Sequence, residues 1–279
     1  MRWQPRGRSS NLEDRRGRGG GAMKLGAGGI VILLVLSLLT GRNLLEDGGG
    51  ALTTGSESGS LTPADSAAEE NTVEFVSFVL DDAQANWGRV FAQAGGSYRE
   101  ARLVLFRDAV QSQCGVGQSG MGPFYCPLDE TIYLDLAFFN ELDRRFEAPG
   151  DFAQAYVIAH EIGHHVQHQA GTADRVRAEQ QRNPRQANAL SVAMELQADC
   201  YAGVWGNTTA RRDLLESGDV EEALGAASAI GDDRIQAQTE GSVRPETFTH
   251  GSAAQRVQWF RRGLESGNPD VCDTFGGSG

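Results

Sequence analysis

The chain has 279 residues, of which 40% are hydrophobic, so it can bury a core and is not a wholly disordered protein. Its net charge of −12 is uneven: residues 1–42 carry eight Lys or Arg against Glu13 and Asp14, a net of +6, which leaves −18 for the rest. An acidic body excludes a basic nucleic-acid-binding surface, and no nucleic-acid partner is expected.

The basic N-terminal segment is followed by an apolar run without charges, Leu25–Gly41. Its seventeen residues lie at the lower limit for a helix that spans a bilayer, and the basic residues before it predict a cytoplasmic N-terminus. We therefore predict an uncleaved single-pass anchor that places the rest of the chain outside the cytoplasm. A cleaved signal peptide is the alternative, but no convincing A-x-A-like site follows the run.

Composition and apolar periodicity divide the chain into four segments. These are a basic cytoplasmic tail (1–24), a transmembrane anchor (25–41), a flexible Gly/Ser/Thr/Pro-rich linker (42–70) and one folded domain (71–275). The domain is predicted to have an α+β fold that is mainly α-helical and contains a small β-sheet. Strands are expected over Ala101–Arg107 and Thr131–Leu136, and helices over Asn71–Ala94, Ala137–Phe146, Asp151–Gly171, Asn188–Trp205, Asp219–Ile235 and Phe248–Gly263.

The third predicted helix contains His160, Glu161 and His164 in the pattern HExxH. Residues four apart share one face of a helix, so the two histidines can reach one zinc ion, and Glu161 is placed to take a proton from a metal-bound water. His165 is rotated off this face, and His168 is about 12 Å from His160 along the axis, so both are expected to be solvated or supporting residues. The alternative is a histidine-rich helix end without a function.

A catalytic zinc ion needs a third protein ligand, and its fourth position is left to water. The fourth predicted helix carries Glu195 and Asp199 four residues apart among apolar neighbours. We predict that Glu195 is the third ligand and that Asp199 orients a ligand imidazole through its free ring N–H. The alternative is an ordinary buried helix whose two acids face solvent, although carboxylates are unusual amid Leu, Ala and Cys.

The four cysteines, Cys114, Cys126, Cys200 and Cys272, are more typical of two disulfides than of a metal site, because no C-x-x-C spacing occurs. Three pairings are possible. Sequence order favours Cys114–Cys126, which closes a short loop, and Cys200–Cys272, which ties the C-terminal tail to the helix of Glu195. A cysteine nucleophile beside a histidine is a further alternative.

Specific motifs extend over nearly the whole chain. They are MRWQPRGRSSNLEDRRG at the N-terminus, GPFYCPLDETIYLDLAFFNEL at 122–142, HEIGHHVQ at 160–167, ALSVAMELQADCYAGVW at 189–205 and FTHGSAAQRVQWFRRGLESGNPDVCDTF at 248–275. Through them the chain resembles the neutral zinc metallopeptidases of bacteria, a membrane-anchored group with a gluzincin-like core. Where that family usually has a basic residue shortly before the Glu of the fourth helix, this chain has Val192 and Ala193.

The resemblance implies a zincin-like metallopeptidase domain preceded by one transmembrane helix. It also implies a location in the bacterial cell membrane, with the catalytic domain outside the cytoplasm, and the hydrolysis of peptide bonds. Zincin-type peptidases commonly offer an edge strand onto which an extended substrate adds. The region from Tyr125 to Leu136 is the candidate for that strand.

We therefore predict a membrane-anchored zinc metallopeptidase that acts on a peptide or protein. Zinc would be held by His160, His164 and Glu195, and Glu161 would be the general base for the zinc-activated water. His250 is a candidate for stabilising the oxyanion, or a helix contact without a chemical role. The alternatives are a catalytically silent, zinc-stabilised envelope scaffold or binding protein, which has no need of the general base, and a metal-free interaction module.

Overall fold

The computed structural model describes residues 1–17 and 63–276, and this part of the chain is mainly helical with a small sheet. The strands are β1 (Leu12–Asp14), β2 (Arg102–Phe106), β3 (Ala109–Ser112), β4 (Gly115–Gln118), β5 (Phe124–Cys126) and β6 (Thr131–Asp135). The helices are α1 (Pro63–Gln93), α2 (Ala137–Arg144), α3 (Asp151–Gln169), α4 (Thr172–Arg182), α5 (Ala187–Ala210), α6 (Asp219–Ala229), α7 (Asp232–Thr239) and α8 (Ala253–Ser266).

Four strands form one sheet in the order β1-β2-β6-β5, and β3 and β4 form a separate antiparallel hairpin. The pairs β1/β2 and β2/β6 are parallel, whereas β5 runs antiparallel to β6 at the edge of the sheet. The central strands β2 and β6 are buried along nearly their whole length, as their apolar runs RLVLF and TIYLD predict for strands covered on both faces.

Alternate residues of the central strands face two different cores. Leu103, Leu105, Ile132 and Leu134 pack into the main core with the helices. On the other face, Val104, Phe106 and Tyr133 form a small cluster with Val110 of the hairpin and Cys126 of β5. This alternation fixes the register, because a slip by one residue would exchange the two faces.

The N-terminal segment is part of this folded body. β1 is hydrogen-bonded to β2, Met1 is only 6% exposed, and its amino group donates to the Asp151 carboxylate at 2.6 Å. Trp3 packs edge-on against Phe75 of α1 at 5.3 Å. The segment predicted to be a cytoplasmic tail therefore packs in the same folded body as the domain predicted to lie outside the cytoplasm.

These contacts overturn the predicted single-pass topology. The prediction of a bacterial membrane location with a cytoplasmic N-terminus and an external catalytic domain is wrong for the same reason. Among the residues that the structure describes, no helix has the length and apolar character needed to cross a membrane. The run predicted to be the transmembrane helix, Leu25–Gly41, lies outside the described residues, as does most of the predicted linker.

Several element boundaries differ from the sequence-based expectations. The helix expected to begin at Asn71 begins at Pro63. The helix expected over Asp219–Ile235 is two helices, because the backbone of Gly231 is extended, with φ −70° and ψ 141°, and separates α6 from α7. The polar helix α4 was not predicted, since it buries only Thr172 and Val176 and shows almost no apolar stripe.

Helix α3 lies at the centre of the main core, where it packs against α5, α6 and α1. Phe152 of α3 stacks on Trp205 of α5 at 5.7 Å, and Tyr156 of α3 contacts Phe260 of α8 edge-on at 5.3 Å. The first turn of α3 is capped from α6, because the Glu222 carboxylate accepts a hydrogen bond from the Phe152 backbone at 3.1 Å. Helix α3, which contains the HExxH residues, is therefore held along its length and at its start.

The cysteines pair as Cys114–Cys126 and Cys200–Cys272, with Cα–Cα distances of 5.8 and 5.6 Å. This is the pairing that sequence order favours. The first disulfide closes the excursion that contains β4 and β5, and the second ties the segment after α8 to α5. All four sulfurs are therefore in disulfides, which leaves no cysteine nucleophile.

Helices α5 and α8 cross at two glycines. A Cβ on Gly203 would lie 2.1 Å from the Phe260 carbonyl oxygen, and a Cβ on Gly263 would lie 2.0 Å from the Cys200 carbonyl oxygen. Real Cβ atoms do not approach backbone so closely, so the two helices touch backbone to backbone. This crossing brings the start of α8 against the part of α5 that carries Asp199.

Replacing Gly203 by Ala is expected to lower the free energy of unfolding by about 3 kcal/mol, since α8 must move away from α5. Gly225→Ala on α6 is the matched control, because nothing lies within 4 Å of the position of its Cβ. The control is expected to be neutral or stabilising by up to about 1 kcal/mol. Urea unfolding of both variants measures the difference, and equal stabilities would contradict the close crossing.

Candidate metal centre

Helix α3 carries the HExxH residues in its buried second half. His160 and His164 are one turn apart, their ring centroids are 4.8 Å apart, and the rings are nearly perpendicular at 88°. Gly171 follows the helix with a φ of 73°, a left-handed conformation that glycine adopts without strain. The expected helix and its terminal glycine are therefore present, and both histidines project from one face.

Glu195 of α5 faces both histidines. Its Oε2 lies 3.1 Å from Nε2 of His160, and its Oε1 lies 3.4 Å from Nε2 of His164. One potential ligand atom from each residue lies within 4.8 Å of the others. The structure thus brings together the three residues predicted as ligands, and two imidazoles with one carboxylate are a donor set typical of catalytic zinc.

The charges in this cluster suit a cation. Burial opposes the charged imidazolium of His160, but the Asp199 carboxylate outweighs it and raises the pKa of His160 to about 10. Burial likewise opposes the charge on His164, yet Glu195 raises the pKa of His164. Burial alone would raise the pKa of Glu195, but the two histidines hold it well below its usual range. The site attracts positive charge, which a divalent metal can supply in place of protons.

A second acidic group lies at the start of α3, where Asp151, Asp219 and Glu222 come close together. The amino group of Met1 lies 2.6 Å from Asp151 and 3.4 Å from Asp219. A positive charge of the chain itself therefore lies against this group, and none of its three acids lines the cleft that contains His160.

Glu161 lies beside the cluster without being part of it. Its side chain is buried at 7% exposure, and its Oε2 has no hydrogen-bond partner among the described residues. Burial raises the pKa of Glu161, although His164 and His160 oppose that shift. A buried carboxylate oxygen without a partner is costly unless a ligand or water completes its hydrogen bonds, and Glu161 also lines the cleft that contains the cluster.

His160 is held in place by a buried ionic network. Its Nδ1 lies 2.8 Å from Oδ1 of Asp199, the contact predicted for an orienting carboxylate. Arg256 of α8 donates to both oxygens of Asp199 at 2.9 Å, and the Tyr156 hydroxyl donates to Oδ1 at 2.5 Å. With Nδ1 bonded to Asp199, Nε2 of His160 is the nitrogen left for a metal.

Sequence reasoning missed Tyr156 and Arg256, although each gave a signal. Tyr156 is four residues before His160 and so shares its helical face. Arg256 lies on the buried face of α8 with Ala253, Phe260 and Gly263, where a lone charge requires a buried partner.

His165 and His168 lie outside the ligand group. His165 is fully buried and joins α3 to the sheet: its Nδ1 is 2.8 Å from the Tyr125 hydroxyl, and its Nε2 is 2.7 Å from the Arg99 carbonyl oxygen. Nε2 of His168 lies 3.5 Å from Oε1 of Glu130. These histidines position the edge strand β5 over the helix, as supporting residues would.

A cleft of about 640 Å³ opens over the cluster. The edge strand β5 lines one wall of it, and the chain around Ile230, Ile235 and His250 lines another. Its apolar surface includes Met121, Phe124, Phe138, Phe146, Val157 and Val176. The cleft is thus mainly apolar beside the His, His, Glu cluster.

His250 reaches the same cleft from the loop before α8. The Asp232 carboxylate accepts hydrogen bonds from the backbone nitrogens of Thr249, His250 and Gly251, and its Oδ1 lies 3.1 Å from Nδ1 of His250. This hydrogen bond, opposed by burial, raises the pKa of His250. The loop is fixed by one carboxylate, which leaves Nε2 of His250 as the ring atom available to a bound molecule.

Comparison with known proteins places the chain in a family. A family model described as "putative neutral zinc metallopeptidase" matches residues 1–275. The chain belongs to this family. The family match includes the N-terminal segment that pairs with the sheet, and its metallopeptidase description agrees with the His, His, Glu cluster on α3 and α5.

Two relatives of this metallopeptidase-family chain illustrate its distribution. It is 47% identical to the uncharacterized protein YpfJ of Escherichia coli strain K12 over 289 aligned positions, which cover 100% of both chains. It is 46% identical to the uncharacterized protein Rv2575 of Mycobacterium tuberculosis strain H37Rv over 189 positions, which cover 64% of this chain and 63% of that one. No solved structure matches the chain.

Proposed function

We propose that this protein is a zinc-dependent metallopeptidase that hydrolyses peptide bonds, with His160, His164 and Glu195 as zinc ligands and Glu161 as general base. The observation that carries the proposal is the position of Glu161, which lines the same cleft as the three-residue ligand cluster and whose buried Oε2 has no hydrogen-bond partner among the described residues. A zinc ion with a purely structural role has no need of such a carboxylate.

The catalytic roles follow from the positions of these side chains. Zinc, when bound, supplies a Lewis acid that polarises the scissile carbonyl and makes water more acidic. Glu161 accepts the proton of the attacking water and then donates it to the leaving amine. Asp199 and Arg256 keep the imidazole of His160 in one orientation through the hydrogen bonds described above.

The shape of the cleft supports a peptide as substrate. β5 is an edge strand whose only strand partner in the described part of the chain is β6, so its outer edge is available to an added strand. An extended peptide bound along β5 would pass over α3, because Tyr125 of β5 is hydrogen-bonded to His165 of that helix. Backbone pairing of this kind accepts many sequences, and the apolar walls then select side chains.

His250 is assigned here to the stabilisation of the oxyanion that forms when water attacks the carbonyl. We expect His250→Ala to lower kcat by up to about 100-fold while zinc content stays unchanged. Asp232→Asn, which weakens the hold on the His250 loop, should give a smaller decrease in kcat. Steady-state kinetics with metal analysis tests this, and a loss of zinc in His250→Ala would instead make His250 a ligand.

The test of the proposed function is the cleavage of a broad peptide library by the purified full chain. We expect cleavage that a chelator abolishes and that stoichiometric zinc restores. A protein that binds zinc but cleaves no peptide, and that Glu161→Gln leaves unchanged, would contradict the peptidase proposal and favour a zinc-stabilised binding protein.

A further inference from the structure

The ring nitrogen of His164 that faces away from the ligand cluster is bonded to a glutamine. Nδ1 of His164 lies 2.9 Å from Oε1 of Gln167, which is three residues further along α3. Gln167 has no exposed surface. A buried amide must satisfy both its oxygen and its nitrogen within the protein, so the partners of Gln167 determine which end faces His164.

A backbone carbonyl settles the orientation of that amide. Nε2 of Gln167 lies 2.7 Å from the Met194 carbonyl oxygen and 3.1 Å from Oε1 of Gln197. A carbonyl oxygen can only accept, so the amide nitrogen faces Met194 and the amide oxygen faces His164. Nδ1 of His164 then carries the hydrogen, and Nε2, which faces Glu195 at 3.4 Å, is the nitrogen whose lone pair can bind a metal.

The same argument orients Gln197, whose side chain is also buried. Its Nε2 donates to the Cys272 carbonyl oxygen at 2.8 Å, so its Oε1 is the atom that accepts from Gln167. Cys272 is joined by a disulfide to Cys200, three residues after Gln197 on α5. The Cys272 carbonyl oxygen is the last acceptor in this series of hydrogen bonds. The disulfide therefore joins the residue that carries it covalently to α5, the helix of Gln197.

We propose that Gln167 and Gln197 form a hydrogen-bond relay that sets the tautomer and ring orientation of His164, and that the Cys200–Cys272 disulfide fixes the carbonyl at its far end. This inference rests on the metal site proposed above. It makes the two glutamines positioning residues for a metal ligand and gives the segment after α8 a role in metal affinity. His160 is independent of the relay, because its own Nδ1 is bonded to Asp199.

Zinc affinity, measured by competition with a chromophoric chelator on the full chain, tests the relay. Gln167→Met removes the acceptor for His164 and is expected to weaken zinc binding by about 10- to 100-fold. Gln197→Met keeps Oε1 of Gln167 as the acceptor for His164 but removes one partner of the Gln167 amide nitrogen. A smaller loss of zinc affinity is therefore expected. Gln154→Met is the matched control, because Gln154 lies half-buried on the same helix and its side chain has no hydrogen bond in the described part of the chain.

Cobalt-substituted protein provides a readout that a general loss of stability would not produce. Each metal-bound imidazole has one Nδ1–H, which gives a strongly shifted, exchangeable proton resonance. In Gln167→Met the resonance of His164 is expected to broaden through exchange with solvent, while that of His160 stays sharp. Gln167→Glu keeps an oxygen that faces His164, and when its other oxygen is protonated it can still donate to the Met194 carbonyl, so it is expected to restore the lost resonance at a pH below the pKa of that carboxyl.

The two disulfides allow a further comparison of zinc affinity. Replacing Cys200 and Cys272 together by Ser should weaken zinc binding, whereas replacing Cys114 and Cys126 should not. If the wild type binds no zinc, the metal site itself is wrong and the relay with it. If the wild type binds zinc and Gln167→Met matches Gln154→Met in both affinity and proton exchange, the metal site stands and the relay is wrong.

Discussion

Glu161→Gln is expected to lower kcat by about 10²- to 10⁴-fold while zinc content remains that of the wild type. The amide has nearly the shape of the carboxylate, so the fold and the ligands His160 and His164 should be undisturbed. What it lacks is the ability to take a proton from water. Because Oε2 of Glu161 has no partner among the described residues, the substitution breaks no hydrogen bond that the structure records there.

Single-turnover and steady-state kinetics on a cleaved peptide, with metal analysis of the same preparation, measure this effect. Glu221→Gln on the exposed face of α6 is the matched control and should behave as the wild type. A Glu161→Gln protein that keeps kcat within about threefold of the wild type would remove Glu161 from the mechanism, because a general base contributes at least about 10².

Arg256→Met is expected to lower the free energy of unfolding by about 3–5 kcal/mol. Arg256 is 2% exposed and forms two hydrogen bonds to Asp199, which is itself fully buried. Methionine fills much of the same volume but leaves the Asp199 carboxylate without its guanidinium. The remaining partners, His160 and Tyr156, both contact Oδ1, so Oδ2 is left without a hydrogen bond and the ligand imidazole also loses a rigid support.

Urea unfolding at fixed zinc concentration measures the change. Arg262→Met on the exposed side of α8 controls for the loss of a positive charge, and a cost of no more than about 1 kcal/mol is expected there. Combining Arg256→Met with Asp199→Asn should recover part of the stability, since no carboxylate is then left buried and unpaired. If Arg256→Met lowers the free energy of unfolding by no more than Arg262→Met does, the buried ion pair does not stabilise this part of the core.

The part of the site that lies on two helices could be predicted from spacing alone. His160 and His164 on one face of α3, and Glu195 and Asp199 one turn apart on α5, follow from helical periodicity. The mainly helical fold with a small sheet followed from the same patterns. The partners of these residues could not be predicted in this way. Arg256 is 57 positions from Asp199, and local periodicity carries no information about such a contact.

The membrane topology was the largest error, and its cause lies in the N-terminal charges. Arginines before an apolar run predict a cytoplasmic N-terminus, but in the structure several of these arginines pair with acids. Arg16 bonds to Asp14 and Glu69, and Arg8 bonds to Glu70 at the start of α1. A short strand such as β1 has too few residues for a periodicity signal, so its pairing with β2 could be seen only in three dimensions.

The zinc content of the purified full chain, measured beside His164→Ala and Glu195→Ala, tests the metal centre most directly. We expect about one zinc per wild-type chain, the same in Glu161→Gln, and little zinc in either ligand variant after dialysis against a weak chelator. His168→Ala is the matched control for loss of a histidine on α3 and should retain its zinc. Full zinc content and activity in Glu195→Ala would contradict the proposed third ligand.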